Sequence, residues 1–406
     1  MSPDAAASRV DYQTFGKVLP SILFITGLFL LNFISRLIFA PLLPFIQQDL
    51  NLSHTQAGSF FLFISIGYCF SILSSGFLSA RLSHKKAIVL SSVLTGSILC
   101  VLPFCASLTT FRLALLCLGL GAGIYLPSGL ATITNIVPPA YWARAIAVHE
   151  LAPNLGAVLA PLAVAFLVGL ISWSECLWLL GGLLIILGLI YWLRGSTSGG
   201  YGVRPDYAIC REIFAAGEFW LMVLFFSTAI SSAIGLYTML PLYLVAEKGF
   251  DHNNANHLVA WSRAAAVIMP FVGGWIGDRL GNRRVMAFVL LGTGVLTIPI
   301  GFYSGPLLLV FIILQAMLVA CFFPSGLAEL SLLGTTRTGN VVVSLCIPLA
   351  FVFGAGIIPV LIGFIGDHFS LGLGFIWAGM LSVCVGGLAF ISLNNSRTSQ
   401  LSSEPK

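Results

Sequence analysis

The chain of 406 residues is 58% hydrophobic and only 8% charged, with a net charge of +5. Water-soluble domains carry about 25% charged residues, so water is not the main solvent of this surface. The basic excess is spread over short segments and forms no dense stripe with interleaved aromatics, which argues against a nucleic-acid partner.

Crossing a bilayer takes about 20 consecutive, mostly apolar residues. Met1 to Lys17 is polar and mixed in charge. The run that follows is as long as a full span and has no small-residue cleavage site after it, so it is expected to be a span and not a signal peptide. Runs of sufficient length cover 19–46, 56–79, 87–106, 110–134, 146–171 and 174–194, and then 217–245, 256–277, 285–303, 306–332, 340–365 and 370–392. Backbone groups in lipid must be satisfied within the segment, so these runs predict an all-α membrane protein of twelve helices. Alternating short strands, the mark of a barrel, are missing from the pattern.

Between the sixth and seventh runs lies GSTSGGYGVRPDYAICREIFAA, residues 195–216, the longest polar stretch between spans. Its Gly and Ser content predicts a flexible linker. The implied organisation is a six-helix bundle over 1–194, a cytoplasmic linker over 195–216, and a second six-helix bundle over 217–406. The basic residues set the expected orientation. With the amino terminus inside, fifteen of the nineteen Lys and Arg fall in cytoplasmic segments and only Arg112 and Lys248 in outer loops. Both termini are then cytoplasmic, as in a multi-pass protein of a cell's inner membrane.

The halves repeat. Pro127-Ser128-Gly129-Leu130-Ala131 recurs as Pro324-Ser325-Gly326-Leu327-Ala328, at an offset of 197. Gly76-FLSARLSHKK recurs as Gly274-WIGDRLGNRR at 198, and Ala40-Pro41-Leu42-Leu43 as Leu240-Pro241-Leu242-Tyr243 at 200. Parallel repeats of this kind place a pseudo-twofold axis along the membrane normal, with a cavity between the halves.

Other chemistries find little support. The nine cysteines are scattered and none forms a C-x-x-C pair, so no metal, disulfide framework or cofactor is expected. There is no H-E-x-x-H, G-x-S-x-G or Walker lysine loop, which argues against a membrane enzyme and against direct use of ATP. A channel is disfavoured because most pores are rings of identical elements.

Gly274-Trp-Ile-Gly-Asp278-Arg279-Leu-Gly281-Asn-Arg283-Arg284 resembles the loop signature of the major facilitator superfamily. With twelve spans and the half repeat, the resemblance covers nearly the whole chain and implies the major facilitator fold. It implies that this loop, with Gly274 permitting close helix approach, holds the outward-facing state closed on the cytoplasmic side. The first copy departs from the pattern, with Ala80 in the place of the family's Asp and His84-Lys85-Lys86 replacing the arginines. Gly119-Leu-Gly121-Ala-Gly123 is similar to the family's glycine-rich fourth helix, but Leu115 stands where proton-coupled exporters have an arginine. The first two spans, from Asn32-Phe-Ile-Ser-Arg36 to Gly67-Tyr68, resemble the organic-anion symporter branch, where an arginine at the position of Arg36 contributes to carboxylate binding.

Arg36 and Arg263 lie within spans, where a cation costs roughly 2.5–3.5 kcal/mol even on mild scales. Arg36 precedes Pro44 by 8 residues and Arg263 lies about 7 residues into its run. Each is then on the order of 10 Å below the outer surface at about 1.5 Å per residue. Arginine's planar fork takes a carboxylate or phosphate through two parallel hydrogen bonds, so these two are expected to bind an anion between the halves. Asn32, Tyr125 and Tyr237 are the other candidate substrate ligands, and Ser227, Ser231 and Thr238 form a polar stripe on the seventh run. The alternative is neutralisation of each arginine by a buried acid, Glu150 or Glu329.

Those acids have two readings of their own. With His149 and Asn154 beside it, Glu150 could carry a coupling proton, as could Glu329; alternatively both form gating contacts with loop arginines. The leading function is a secondary transporter for a small organic anion, a carboxylate, driven by protons through alternating access and acting as a monomer. The rival is an exporter of hydrophobic or cationic compounds, for which Arg36 would be unfavourable.

Overall fold

A computed structural model describes residues 15–79, 81–195, 207–333 and 339–401. Among them twelve helices are long and apolar enough to span a membrane. They are α1 (Gly16–Asp49), α2 (His54–Ser79), α3 (His84–Phe104), α4 (Leu108–Ile136), α5 (Arg144–Leu167), α6 (Trp173–Arg194), α7 (Gly217–Ala246), α8 (His252–Leu280), α9 (Asn282–Phe302), α10 (Pro306–Leu332), α11 (Val341–His368) and α12 (Leu371–Ile391). No strand occurs among the described residues.

Each helix matches one predicted run, and the mismatches have local causes. α8 starts earlier than its apolar run because Asp251 caps it, its side chain accepting from the Asn254 amide at 2.9 Å. Polar residues His252 to Asn254 therefore form the first turn, which hydropathy alone cannot register. Of the predicted linker, 196–206 lies outside the described residues, as does Ala80; Tyr207–Ala215 is a short helix and not a flexible coil.

The helices that line the middle of the molecule are interrupted. α1 breaks at Ile38, between Leu37 and Phe39, and α5 at Glu150, between His149 and Leu151. α7 contains a π-helical segment at Ser231–Gly235 and α11 another at Val352–Ile357. A π-segment shifts the hydrogen-bond ladder and leaves carbonyls for other donors. The two π-segments pack on one another, with Gly235 so close to the Gly354 carbonyl that no side chain would fit.

Twelve spans put the start of α1 and the end of α12 on one face, here called the terminal face. At the opposite face, buried residues from both sets of six spans merge in one apolar core, including Phe39, Phe60, Phe111, Tyr243 and Phe375. Towards the terminal face the cores separate, one around Ile22, Phe29 and Tyr125, the other around Phe219, Phe226 and Phe322. α2 and α11 make the tightest seam between the sets. Gly58 lies against the Pro359 carbonyl and Gly363 against that of His54, contacts that only a glycine permits. At the end of this seam Asp367 accepts from the backbone amides of His54 at 2.7 Å and Thr55 at 2.9 Å. A carboxylate on the first amides of α2 is favoured by the helix dipole. The molecule is thus joined at the opposite face and divided at the terminal one.

Candidate functional site

Arg36 sits 13 residues before the end of α1 and Arg263 is 11 residues after the start of α8. At about 1.5 Å per residue this is roughly 16–20 Å from the opposite face, deeper than the apolar runs predicted and close to mid-membrane. Both side chains fold over a tyrosine. The Arg36 guanidinium lies 4.0 Å from the ring centroid of Tyr68 in α2, with Phe33 at 5.1 Å. That of Arg263 lies 3.5 Å from the Tyr237 ring in α7. Face-on stacking replaces part of the lost hydration of a planar cation.

Their hydrogen bonding differs. Arg263 donates to the carbonyl of Ala233, one of the groups in the π-segment of α7. Gln315 from α10 donates to the neighbouring Ser232 carbonyl at 3.0 Å. Tyr237 is itself fixed by donating its hydroxyl to the Ile312 carbonyl at 2.8 Å. By contrast, the buried Nε of Arg36 has no hydrogen-bond partner among the described residues. Arg36 lines a small pocket of about 30 Å³ between the two sets of spans. Ser65 in α2, Thr238 and Ile234 in α7, and Phe351 and Ala355 in α11 are among its walls, with Phe33, Leu37, Phe61 and Ile64 making the rest apolar. Arg263 is not among the lining residues, so the expected pairing of two arginines around one site is not what this pocket holds.

No carboxylate among the described residues lies within ion-pair distance of either arginine. Among the described residues the ion pairs are His149 with Glu150 and Arg283 with Glu329. Glu329 lies in the last turn of α10 and meets Arg283 at the start of α9, at the terminal face and far from both Arg36 and Arg263. Glu150 occupies the break in α5, its side chain about half exposed, and its neighbour His149 is fully buried. Asn154 donates to the Glu150 backbone carbonyl at 3.2 Å.

Three expected ligands are placed elsewhere. Tyr125 is fully buried, stacked on Phe29 and donating to the Ile25 carbonyl at 2.6 Å, and is not among the residues lining the Arg36 pocket. Asn32 turns into its own bundle, donating to the Ala122 carbonyl at 3.2 Å and the Ser91 hydroxyl at 3.3 Å. Tyr237 supports Arg263 from below and uses its hydroxyl on the backbone. In each case an aromatic or amide in an apolar span found a backbone carbonyl that helix packing had left exposed, and burial followed.

The loop between α8 and α9 also differs from expectation in detail. Gly274 has room for a side chain, its nearest neighbour being Pro324 at 3.7 Å. The close approach to α10 is made by Gly273, whose added Cβ would stand 2.5 Å from Cys321 Cα, and by Gly277, 2.6 Å from Ser325 Oγ. Asp278, Arg279 and Arg284 are exposed at the terminal face, with Arg279 stacked 4.0 Å over Trp275.

A model described as Major Facilitator Superfamily matches residues 25–265. The chain belongs to this superfamily. It is similar to the hexuronate transporter of Bacillus subtilis (strain 168), 26% identical over 71% of each chain. To the cis,cis-muconate transport protein of Acinetobacter baylyi it is 23% identical over 82% of this chain and 84% of that one. The fosmidomycin resistance protein of Escherichia coli is 23% identical over 91% of each. Among solved structures, a bacterial homolog to the human lysosomal transporter Spinster, in an inward-facing and occupied conformation, superposes with a TM-score of 0.81 at 17% identity, covering 94% of this chain and 98% of that one. That likeness extends the superfamily fold over the whole described molecule, and the chain is a multi-pass membrane transporter.

Two residues of this superfamily member escaped the sequence reading. Tyr68 carries the Arg36 stack, yet an aromatic in an apolar run has no periodic signature. Gln315, fully buried with an unpartnered Oε1, had a usable one: it is an amide within the otherwise apolar PLLLVFIILQAMLVA.

Proposed function

We propose that this chain is a proton-coupled secondary transporter for a small organic anion, a carboxylate, working by alternating access. One observation carries the reading: Arg36 reaches the pocket between the two sets of spans with its Nε unpaired and with no carboxylate within ion-pair distance among the described residues. A permanently charged guanidinium in a low-dielectric site without a counter-ion is unfavourable, and an incoming anion removes the cost. A carboxylate would take two parallel hydrogen bonds from the fork, with the Ser65 hydroxyl lining the same pocket as a further donor. The names of the hexuronate and cis,cis-muconate relatives denote carboxylate cargo and support the same class.

The terminal face carries most of the basic residues and is assigned to the cytoplasm of an inner membrane, so both termini are cytoplasmic. The wedge divided at that face then corresponds to the inward-open state. Anion binding at Arg36 in α1, against Thr238 in α7 and Phe351 in α11, would draw the sets together and promote closure. The Arg283–Glu329 pair, tying α9 to α10 beside the loop signature, belongs to gating, and Glu150 to the proton pathway. The transporter works as a monomer, since one chain contains both sides of the pocket.

The test is uptake of radiolabelled glucuronate and cis,cis-muconate into proteoliposomes, with and without an acid-outside pH gradient. Saturable uptake of either, stimulated by the gradient and reduced by roughly 10- to 100-fold in Arg36→Ala, is expected. Movement of a cationic dye with both carboxylates ignored would overturn the reading in favour of export of cations.

A further inference from the structure

We propose that Tyr125 locks His149 in its Nε2–H tautomer and thereby makes the His149 Nδ1–Glu150 Oε1 pair the seat of the transported proton. The proposal rests on the proton-coupled reading above. A tyrosine hydroxyl has one proton, and a backbone carbonyl can only accept. The hydroxyl of Tyr125 lies 2.6 Å from the Ile25 carbonyl, so its proton is committed there. Its oxygen then presents only lone pairs to His149 Nε2 at 3.3 Å, and that contact requires a hydrogen on Nε2.

In a neutral imidazole the other nitrogen is then a bare acceptor. Nδ1 faces Glu150 Oε1 at 3.4 Å. With the carboxylate ionised, two acceptors oppose each other, and one added proton converts the contact into a hydrogen bond. The protonated form is imidazolium with carboxylate or imidazole with carboxylic acid, and the proton belongs to the pair rather than to either residue. No other charged side chain lies within ion-pair distance of the pair among the described residues. α1 contributes the Phe29 ring, stacked 4.4 Å from the imidazole, and the Ile25 carbonyl. α4 contributes Tyr125, and α6 contributes Tyr191 in the same buried cluster.

The surroundings suit a proton that enters and leaves. His149 is sealed, whereas the Glu150 side chain is 49% exposed and stands at the break in α5, so Glu150 is the open end of the pair. Protons reach the pair through Glu150 and cannot pass beyond His149, because the Tyr125 hydrogen is held by Ile25. The link to cargo runs along α1. Phe29, which covers the imidazole, and Arg36 are seven residues apart, two turns on one helix face. A change in charge at His149 alters what Phe29 stacks on, and the same helix carries the anion ligand.

The experiment uses the full chain in nanodiscs with 15N-labelled histidine, the His149 signals identified by their loss in His149→Gln, together with uptake of radiolabelled glucuronate against pH. In the wild type Nε2 stays protonated throughout, and Nδ1 gains its proton as pH falls. Glu150→Gln should move that protonation to about tenfold higher proton concentration and abolish stimulation by the gradient. Tyr125→Phe should let both neutral tautomers appear and shift the uptake profile by a similar factor, a change that mere loss of packing would not produce. A neutral wild-type His149 carrying its proton on Nδ1 would overturn the proposal, as would protonation unchanged in Glu150→Gln. Because Glu150 is half exposed, Glu150→Gln keeps the test decisive even if Tyr125→Phe fails to fold. Wild-type uptake that ignores the gradient would sink the proton-coupled reading itself. Gradient-driven uptake that persists undiminished in Glu150→Gln would sink only this assignment.

Discussion

Arg36 and Arg263 are both mid-membrane, both without a carboxylate partner among the described residues, and both stacked on a tyrosine, at 4.0 Å and 3.5 Å. Arg263 nevertheless ends on the Ala233 carbonyl, which the π-segment of α7 presents, while the Arg36 Nε ends on nothing. The difference separates a cation that completes the protein from a cation that the protein leaves to be completed. Burial and residue type alone would have scored the two equally. What distinguishes them is whether a backbone acceptor lies within reach, and at Arg263 it does because α7 departs from regular helical bonding.

The largest expected effect follows from removing the incomplete cation. Arg36→Ala should weaken carboxylate transport by roughly 10- to 100-fold in kcat/KM, the equivalent of about 1.5–3 kcal/mol for a charged hydrogen-bonding partner. Arg36→Lys, which keeps charge but loses the fork, should fall between the two. Initial rates of labelled glucuronate uptake over a concentration series measure both. A larger loss of affinity in Arg263→Ala than in Arg36→Ala would invert the comparison.

Arg263→Ala should act first on stability. It strips the donor from the Ala233 carbonyl inside α7, and an orphaned buried acceptor costs about 1–3 kcal/mol. A lowered thermal unfolding midpoint of the purified protein in detergent is the expected result, with partial recovery in Arg263→Lys. An unaltered midpoint together with lost uptake would mean that Arg263 serves cargo and not the π-segment.

The contrast between the arginines was half visible before the structure. Cations in apolar runs declare themselves because lipid tolerates so few, and both arginines were found that way. The twelve spans were legible for the same reason, each being a long run of one solvent preference. Their partners were not legible. Whether Tyr68 or Tyr125 meets a buried cation depends on helix rotation, and both sit in runs too uniformly apolar to reveal it. Tyr125 was drawn inward by the Ile25 carbonyl and Tyr68 outward by the Arg36 cation, neither of which the local sequence marks. Gly273 and Gly277, not the signature residue Gly274, form the contact with α10, because the rotation of α8 there places the first two against Cys321 and Ser325.

Smaller effects sharpen the comparison at the tyrosines. Tyr68→Leu removes the ring beneath Arg36, a contact worth about 0.5–2 kcal/mol in a partly desolvated setting. Freed from its support, the guanidinium should still pair with an anion but in a less defined position. The expected outcome is a severalfold higher KM for glucuronate with a thermal midpoint close to the wild type. A collapse of stability would show that Tyr68 is core and that the Arg36 pocket is incidental.

Tyr237→Phe should give the smallest change, and in the other observable. The ring under Arg263 stays, so the stack and the bond to Ala233 survive; only the hydroxyl bond to the Ile312 carbonyl is lost. That bond contributes about 0.5–1.5 kcal/mol, and its loss leaves an acceptor in α10 without this donor. A modest fall in thermal midpoint is expected, with a KM that moves less than in Tyr68→Leu. The two substitutions therefore read the same division from the ring side. If Tyr237→Phe raises KM more than Tyr68→Leu does, the hydroxyl is meeting cargo, and the Arg263 side of the molecule would have to be counted with the pocket after all.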